Sequence, residues 1–373
     1  MPLRFALLAA VVLATPLAAQ ETVESPDVGE QETPVTFGGL VQTQLNTSDQ
    51  DDADAVELVL RRIRLAANAR LNDVVSGRID AELANAAAGG SAELNEAYAL
   101  FRFSPSVGVL VGKGGRPFGL IDATSAPNLV PIERGSRIRG AETVELYRTL
   151  ESLAYAGRSV GVQVLGDIEG LPFGVAYAAG YFSGTTAEEG DDADIRQFAA
   201  RVQVAPVPGI QIGLAATSRV FAEADPPGLD PDGVTTGADP QGETERGGGF
   251  AVDVEFGEYG RPGLHVVGEV ALGQLDPFRD QDFVGAQGWV AYRAEGFGPS
   301  TGGLLVAVEP LLRASVADVD GPLDAFEGVL LTPGLNLYAV RNTRLALNLD
   351  LFFPSDDTAE TLVAFRSQVQ VAF

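Results

Sequence analysis

The chain has 373 residues and a formal net charge of −26, from 25 basic and 51 acidic side chains. It contains no cysteine, which excludes a disulfide scaffold and a thiol nucleophile. The acidic balance argues against nucleic acid as a partner, because duplex binding relies on neutralising phosphates with lysine and arginine.

The N-terminus carries the pattern of a secretory signal peptide. A short basic region ends at Arg4, an apolar region runs to Ala14, and small residues surround Ala19. We expect residues 1–19 to be a signal peptide and residues 20–34 to be a polar, acidic tether. Beyond the signal peptide, no segment approaches the roughly 18 unbroken apolar residues that a spanning helix needs.

From Val35 to Phe373, segments of about ten residues alternate between apolar and polar or small side chains, separated by turn signals. The connections are alternately short, as at Asn72-Asp73, and long and acidic, as at residues 46–54. A soluble sandwich has no reason for this asymmetry, whereas outer-membrane barrels have short turns at one end and long loops at the other. The sequence therefore predicts an all-β fold over residues 35–373, a transmembrane antiparallel β-barrel of about 16 strands.

The last strand ends at Phe373, with Phe365, Val369 and Val371 on the same side. A C-terminal phenylalanine on an amphipathic final strand resembles the signal that the bacterial barrel-assembly machinery reads. We therefore predict an outer-membrane location, with the assembly machinery, membrane lipid and lipopolysaccharide as partners.

The second predicted strand, within VELVLRRIRLAANARL (56–71), has a basic side and an apolar side when it is read in twos. The basic side holds Leu58, Leu60, Arg62, Arg64, Asn68 and Arg70, and the apolar side holds Val59, Ile63, Leu65 and Leu71. We expect the basic side to face water inside the barrel and the apolar side to face lipid. Arg61 has the wrong parity, and an arginine facing lipid at mid-membrane costs about 2–4 kcal/mol. Arg61 should therefore lie near an interface or at a bulge.

Residues 55 to 165 also contain a set of motifs in a recognisable order. They are Arg61-Arg62 with Arg64, the turn Pro117-Phe118-Gly119-Leu120, Thr124-Ser125 and Glu133-Arg134. In order and spacing this region resembles the phosphate-selective porin O and P family. The resemblance implies a 16-stranded barrel, usually a homotrimer, with an inward-folded third external loop. That loop forms a constriction where basic side chains favour anions.

Residues 119–157 are in the right place for such a constriction loop. The candidate pore-lining, anion-binding residues are Arg62, Arg64, Arg70, Arg116, Arg134, Arg137 and Arg139. Basic groups in a narrow constriction focus a field that favours anions, and the guanidinium fork suits phosphate and carboxylate oxygens. An alternative is that these arginines pair with carboxylates such as Glu133, Glu57 and Glu82 and only hold the loop in place.

The sequence as a whole predicts a porin for passive diffusion of small hydrophilic solutes, leaning towards anions such as phosphate. The acidic outer loops leave open a weakly selective or cation-preferring general porin, and a non-conducting structural or surface-binding barrel is a third possibility. We predict no enzymatic activity and no cofactor. A single histidine, His265, in a chain without cysteine gives no usual zinc site.

Overall fold

The computed structural model describes residues 34–373 except 51–55, 172, 184–195, 223–227, 231–232, 236–243, 298–301, 322, 340–341 and 357. The predicted signal peptide, and the predicted tether up to residue 33, lie outside the described residues. No helix in the described part of the chain is long and apolar enough to cross a membrane.

Within the described residues, sixteen antiparallel strands form one closed barrel, which confirms the predicted architecture. They are β1 (Val35–Ser48), β2 (Glu57–Arg70), β3 (Val75–Glu82), β4 (Glu93–Ser104), β5 (Val107–Gly115), β6 (Arg158–Ile168), β7 (Gly174–Phe182), β8 (Gln197–Val207), β9 (Ile210–Ala222), β12 (Thr244–Phe256), β13 (Gly263–Asp276), β14 (Gln281–Glu295), β15 (Leu305–Val319), β16 (Gly328–Ala339), β17 (Thr343–Pro354) and β18 (Leu362–Ala372). A separate hairpin, β10 (Gly228–Asp230) with β11 (Gly233–Thr235), lies between β9 and β12.

The barrel wall follows the predicted alternation, and β12 illustrates it. Phe250 and Val252 are 63% and 50% exposed, whereas their neighbours Ala251 and Asp253 are 2% and 3% exposed. In a closed barrel all backbone groups of the strands pair with one another, so only the side chains distinguish the two faces. Large apolar side chains therefore cover the outside, and small or polar side chains line the inside.

The barrel closes by pairing β1 with β18, for example Leu40 with Ala372. The backbone N–H of Gly39 donates to the Phe373 carbonyl at 2.8 Å, and the N–H of Phe373 donates back to the Gly39 carbonyl at 3.0 Å. The Phe373 ring lies directly over Gly39, where a Cβ would collide with it. A glycine at position 39 therefore makes room for the terminal aromatic ring at the closure.

Strand β2 contains a β-bulge, which confirms one prediction and corrects another. Gln42 of β1 pairs with Arg62, but the next residue, Thr43, pairs with Leu60, so Arg61 is the extra residue. A bulge shifts the side-chain alternation by one position. Before the bulge, Leu58 and Leu60 therefore face outward and are 73% and 49% exposed.

Val59 instead faces inward, where it lines a cavity with Glu57 and Arg61. The prediction that Val59 faces lipid, with Leu58 and Leu60 on the opposite side, was therefore wrong. After the bulge, Arg62 and Arg64 occupy inward positions, as predicted, since both line a cavity inside the barrel.

The longest connection within the fully described part of the chain joins β5 to β6 and spans residues 116–157. It contains the short helices α1′ (Leu120–Ala123) and α2′ (Leu146–Ser152) and a 3₁₀ turn at Ala126–Asn128. Glu145 caps the second helix by accepting from the backbone N–H groups of Tyr147 and Arg148. Most of this connection is buried, and its contacts define the candidate site.

Candidate functional site

One face of the 116–157 connection is apolar and packs against the inner wall. Phe118, Leu150 and Tyr155 belong to one buried cluster with wall residues of β9 and β12–β15. The wall contributes alanines here, such as Ala251 and Ala271, which leave space for the connection, and larger side chains such as Phe283 and Trp289, which pack in the same cluster. The Tyr155 hydroxyl donates to the Gln274 carbonyl at 3.0 Å. This face fixes the connection to one side of the barrel.

Residues 129–139, which we call the strap, are also held through their backbone. The wall donors to strap carbonyls are Arg344 to Leu129, Asn336 to Val130, Arg313 to Glu133, Gln287 to Arg134, Arg366 to Arg137 and Ser48 to Arg139. These donors come from β1 and β14–β18. The strap is therefore attached to six strands, each through one side chain that points into the barrel.

Glu133 connects the strap to the opposite, basic part of the wall. Its Oε1 accepts from Arg61 Nε at 2.6 Å and from Gln44 Nε2 at 2.9 Å. Its Oε2 accepts from Arg61 Nη2 at 3.2 Å and from Arg62 Nη2 at 3.4 Å. Arg137 Nε lies 3.7 Å from the same oxygen. Three arginines and a glutamine thus surround one carboxylate.

Opposing effects act on the pKa of Glu133. Complete burial favours the neutral carboxyl and raises its pKa, but the charges of Arg61, Arg62 and Arg137 outweigh burial. The pKa is consequently held well below the usual range, and the Glu133 carboxylate stays ionised at any physiological pH.

Two cavities lie beside this cluster, and they share Arg61 and Arg137. The central cavity, of about 270 Å³, is lined by Arg61, Arg62, Arg64, Arg134, Arg137 and Arg158 and by Glu82, Glu93, Asp122, Glu133 and Glu151. The loop-side cavity, of about 450 Å³, is lined by Arg61, Arg137, Arg139, Arg148 and Arg366 and by Glu57 and Glu142. Six arginines therefore face five carboxylates in the first cavity, and five arginines face two in the second.

Five of the seven candidate site residues from the sequence line these cavities. Arg62, Arg64 and Arg134 line the central cavity, Arg139 lines the loop-side cavity, and Arg137 lines both. Ion pairs accompany most of them. The Arg64 guanidinium lies 3.1 Å from Glu82, and that of Arg139 lies 3.3 Å from Glu57.

The structure does not bring Arg70 and Arg116 into this group. Arg70 lies at the turn end of β2, is 66% exposed and pairs with Asp73 at 3.0 Å. Arg116 is buried and donates to the Ser159 hydroxyl and the Ala156 carbonyl. Burial lowers the pKa of Arg116 to about 10, with Asp122 opposing that shift, so it stays cationic at neutral pH. We interpret Arg116 as a residue that joins the two ends of the connection.

Sequence reasoning missed three contributors to the cavities and their cluster: Arg61, Arg366 and Gln44. Glu133 was already a candidate arginine partner in the alternative interpretation of the sequence. Arg61 had a usable signal, because two adjacent arginines in one strand cannot both face inward without a bulge. The other contacts join residues far apart in sequence, and no local pattern indicates them.

Other titratable groups form no comparable site. His265 faces inward, where its Nε2 lies 2.9 Å from Glu255 Oε1. Among the residues that the structure describes, no group of three or more histidine, aspartate or glutamate side chains is placed to hold a metal ion.

A closed sixteen-stranded barrel, apolar outside and lined by charged cavities inside, has the architecture of an outer-membrane porin. Solved porin structures share the fold at low sequence identity. An anion-selective porin from Comamonas acidovorans has a TM-score of 0.59 at 12% identity, covering 92% of this chain and 100% of its own. The outer-membrane channel DcaP of Acinetobacter baumannii has a TM-score of 0.58 at 13% identity, covering 92% of this chain and 99% of its own. The trimer form of OmpT, an outer-membrane protein of Vibrio cholerae, has a TM-score of 0.57 at 14% identity, covering 92% of this chain and 100% of its own.

The family comparison is more specific. Residues 39–220 match the model described as phosphate-selective porin O and P, which confirms the resemblance. A comparison with curated proteins found no match.

Proposed function

We propose that this porin lets small hydrophilic solutes diffuse passively across the outer membrane and favours anions. The observation that carries the proposal is the charge of the loop-side cavity. Five arginines and two carboxylates line it, in a chain whose formal net charge is −26. The protein is acidic as a whole, but this part of the lumen is lined mainly by basic side chains. Low-dielectric walls strengthen the field of each charge there.

Phosphate is the natural candidate among such anions, because the matching family is described by phosphate selectivity. Arginine presents donors in a geometry that suits phosphate oxygens. We propose Arg62, Arg64, Arg134, Arg137 and Arg139 as the anion-contacting residues, with Arg61 and Arg366 added from their positions in the cavities. Arg70 and Arg116 have weaker support, since they lie outside both cavities.

The rest of the proposal concerns assembly. We propose a homotrimer, in keeping with the trimer form of the OmpT relative, and membrane contacts that include lipopolysaccharide. Export through the signal peptide and recognition of Phe373 by the assembly machinery complete the route to the membrane. The channel catalyses no reaction and couples no energy source.

A second candidate is a porin with little ion preference. The central cavity favours it, because five carboxylates nearly balance six arginines there. The ion pairs that join the strap to β2 also suit a third candidate, a barrel that does not conduct.

The reversal potential in a KCl gradient across a planar bilayer separates these candidates. An anion-favouring channel gives a reversal potential of the sign set by chloride. A value near zero supports the weakly selective porin, and a potassium-like sign contradicts the proposal. Barrels that insert without conducting support the third candidate.

A further inference from the structure

The environment of Glu133 is a complete oxyanion site that is already occupied. Arg61 contributes two donors in the forked arrangement that matches a planar carboxylate, Gln44 adds a third and Arg62 a fourth. Two arginines, Arg61 and Arg62, donate to this single negative charge, which is 4% exposed, and Arg137 lies beside it while pairing with Glu151 at 3.2 Å. The site therefore holds more positive charge than its occupant neutralises.

Two of the donor residues, Arg62 and Gln44, are also held in place by neighbours other than Glu133. Arg62 Nη1 donates to Gln42 Oε1 at 2.8 Å, and Gln44 Nε2 also donates to Gln368 Oε1 at 2.9 Å. This half of the site therefore keeps its shape when the carboxylate leaves, which is the property that a binding site for a mobile ligand needs.

The occupant, by contrast, is tethered by a single flexible side chain. The strap backbone is fixed by six wall side chains and by the apolar packing of the 116–157 connection. Moving the strap would break all of these contacts together. Rotating the Glu133 side chain would break only the contacts of its carboxylate, and the adjacent central cavity offers space for it.

We propose that Glu133 is a tethered internal ligand of an oxyanion site formed by Arg61, Arg62, Arg137 and Gln44, and that a permeating oxyanion exchanges with it. The inference rests on the proposed anion preference and names the ligand chemistry, a carboxylate or another small oxyanion. A solute that supplies the same oxygens replaces the carboxylate contact for contact, whereas a hydrated cation supplies none. Arg61 and Arg137 line both cavities, so this exchange takes place where the cavities meet.

The test is block of chloride current by sodium acetate and, separately, by inorganic phosphate, at constant ionic strength. Glu133→Gln keeps the side-chain shape and removes the charge that competes for the site. Glu142→Gln removes the same charge from an exposed position that lines the loop-side cavity. It is therefore the matched control for a purely long-range electrostatic effect.

An occupied site binds an added ligand with an affinity reduced by the fraction of time that the site is vacant. On this basis the half-blocking acetate concentration should fall about tenfold in Glu133→Gln and stay within about twofold in Glu142→Gln. A fall with both acetate and phosphate assigns the site to oxyanions in general, and a fall with one of them assigns it to that ion. An unchanged value for both ions, or an equal shift in Glu142→Gln, overturns the proposal.

If Glu133→Gln does not migrate as a folded barrel when the sample is run in gel electrophoresis without prior heating, Glu133→Asp is used instead. It keeps the charge and withdraws the carboxylate by one methylene, so block should strengthen by about threefold. No change in that variant overturns the proposal as well. A wild-type channel that prefers potassium, with tighter acetate block in Glu133→Gln, would refute the anion preference alone. A chloride-preferring wild type with unchanged block would refute the internal ligand alone.

Discussion

The two faces of the 116–157 connection have opposite chemistry. The face towards β9 and β12–β15 packs Phe118, Leu150 and Tyr155 into a buried apolar cluster with the wall. The face towards β2 carries Glu133 and Arg137 and borders two polar cavities. The difference shows how one connection can be fixed to the wall on one face and border charged cavities on the other. Apolar packing decides where the connection lies, and the opposite face decides which solutes meet charge.

The wall is divided in the same way. Behind the apolar face, residues such as Ala251 and Ala271 leave room for the connection. Opposite the polar face, Arg61, Arg62 and Arg64 reach into the lumen from β2.

The largest effect is expected from removing the central ring of the apolar face. Tyr155 is fully buried, and its ring centroid lies 5.7 Å from that of Phe118 and 6.1 Å from that of Phe283. Tyr155→Ala should cost about 3–5 kcal/mol of packing. With the connection loosened, single-channel conductance should rise severalfold and anion preference should fall.

Tyr155→Phe is the control for this change, because it keeps the ring and loses only the bond to the Gln274 carbonyl, worth about 1 kcal/mol. It should conduct like wild type. Normal conductance and normal ion preference in Tyr155→Ala would mean that apolar packing does not position the constriction.

A smaller effect is expected from the polar face. Arg62→Gln combined with Arg134→Gln removes two charges from the central cavity. If the two charges together change the energy of a passing anion by about 1 kcal/mol, the chloride-to-potassium permeability ratio should fall by about fivefold. The reversal potential in a KCl gradient measures the ratio.

Arg70→Gln is the matched control, since Arg70 lies near the turn end of β2 and is largely exposed. It should change the ratio by less than about twofold because exposed charges are screened. Equal effects of Arg70→Gln and the double variant would remove the central cavity from the account of selectivity.

The smallest effect is expected from pH. The pKa of Glu133 is depressed, so its ion pairs are fully formed above the ordinary glutamate pKa of about 4.3 and are lost only as pH falls through the lower folded-state value. The difference in reversal potential between wild type and Glu133→Gln should therefore stay constant from pH 7 to pH 5. A difference that disappears within that window would show that Glu133 is not held by the arginines.

Much of this architecture follows from sequence because barrel strands alternate with a period of two. That rule predicts the inward positions of Arg62 and Arg64 and the general plan of sixteen strands. It fails for Val59, since one bulged residue at Arg61 reverses the alternation in the first part of β2. Sequence alone indicated only that Arg61 needed an interface or a bulge.

The contacts of the strap are harder to predict from the sequence. Glu133 meets Arg61 across 72 positions of the chain, and the carbonyl of the same residue meets Arg313 across 180. These distances depend on the path of an irregular connection through the lumen, for which no periodic pattern exists. The sequence could therefore suggest Glu133 as one of several arginine partners, but not that Arg61, Arg62 and Arg137 all meet its carboxylate.

Because the chain contains no cysteine, single introduced thiols can test whether the cavity beside Arg61 is open to water and favours anions. Val59→Cys places a thiol in the loop-side cavity, and Leu60→Cys places one on the outer wall of the same strand. Modification by anionic and cationic methanethiosulfonate reagents is compared, each rate normalised to that with a small free thiol. Val59→Cys should react, faster with the anionic reagent, and its modification should reduce the current. Leu60→Cys should not react when the barrel is in the membrane. Labelling of Leu60→Cys but not Val59→Cys, or a normalised preference for the cationic reagent at Val59→Cys, would contradict this prediction.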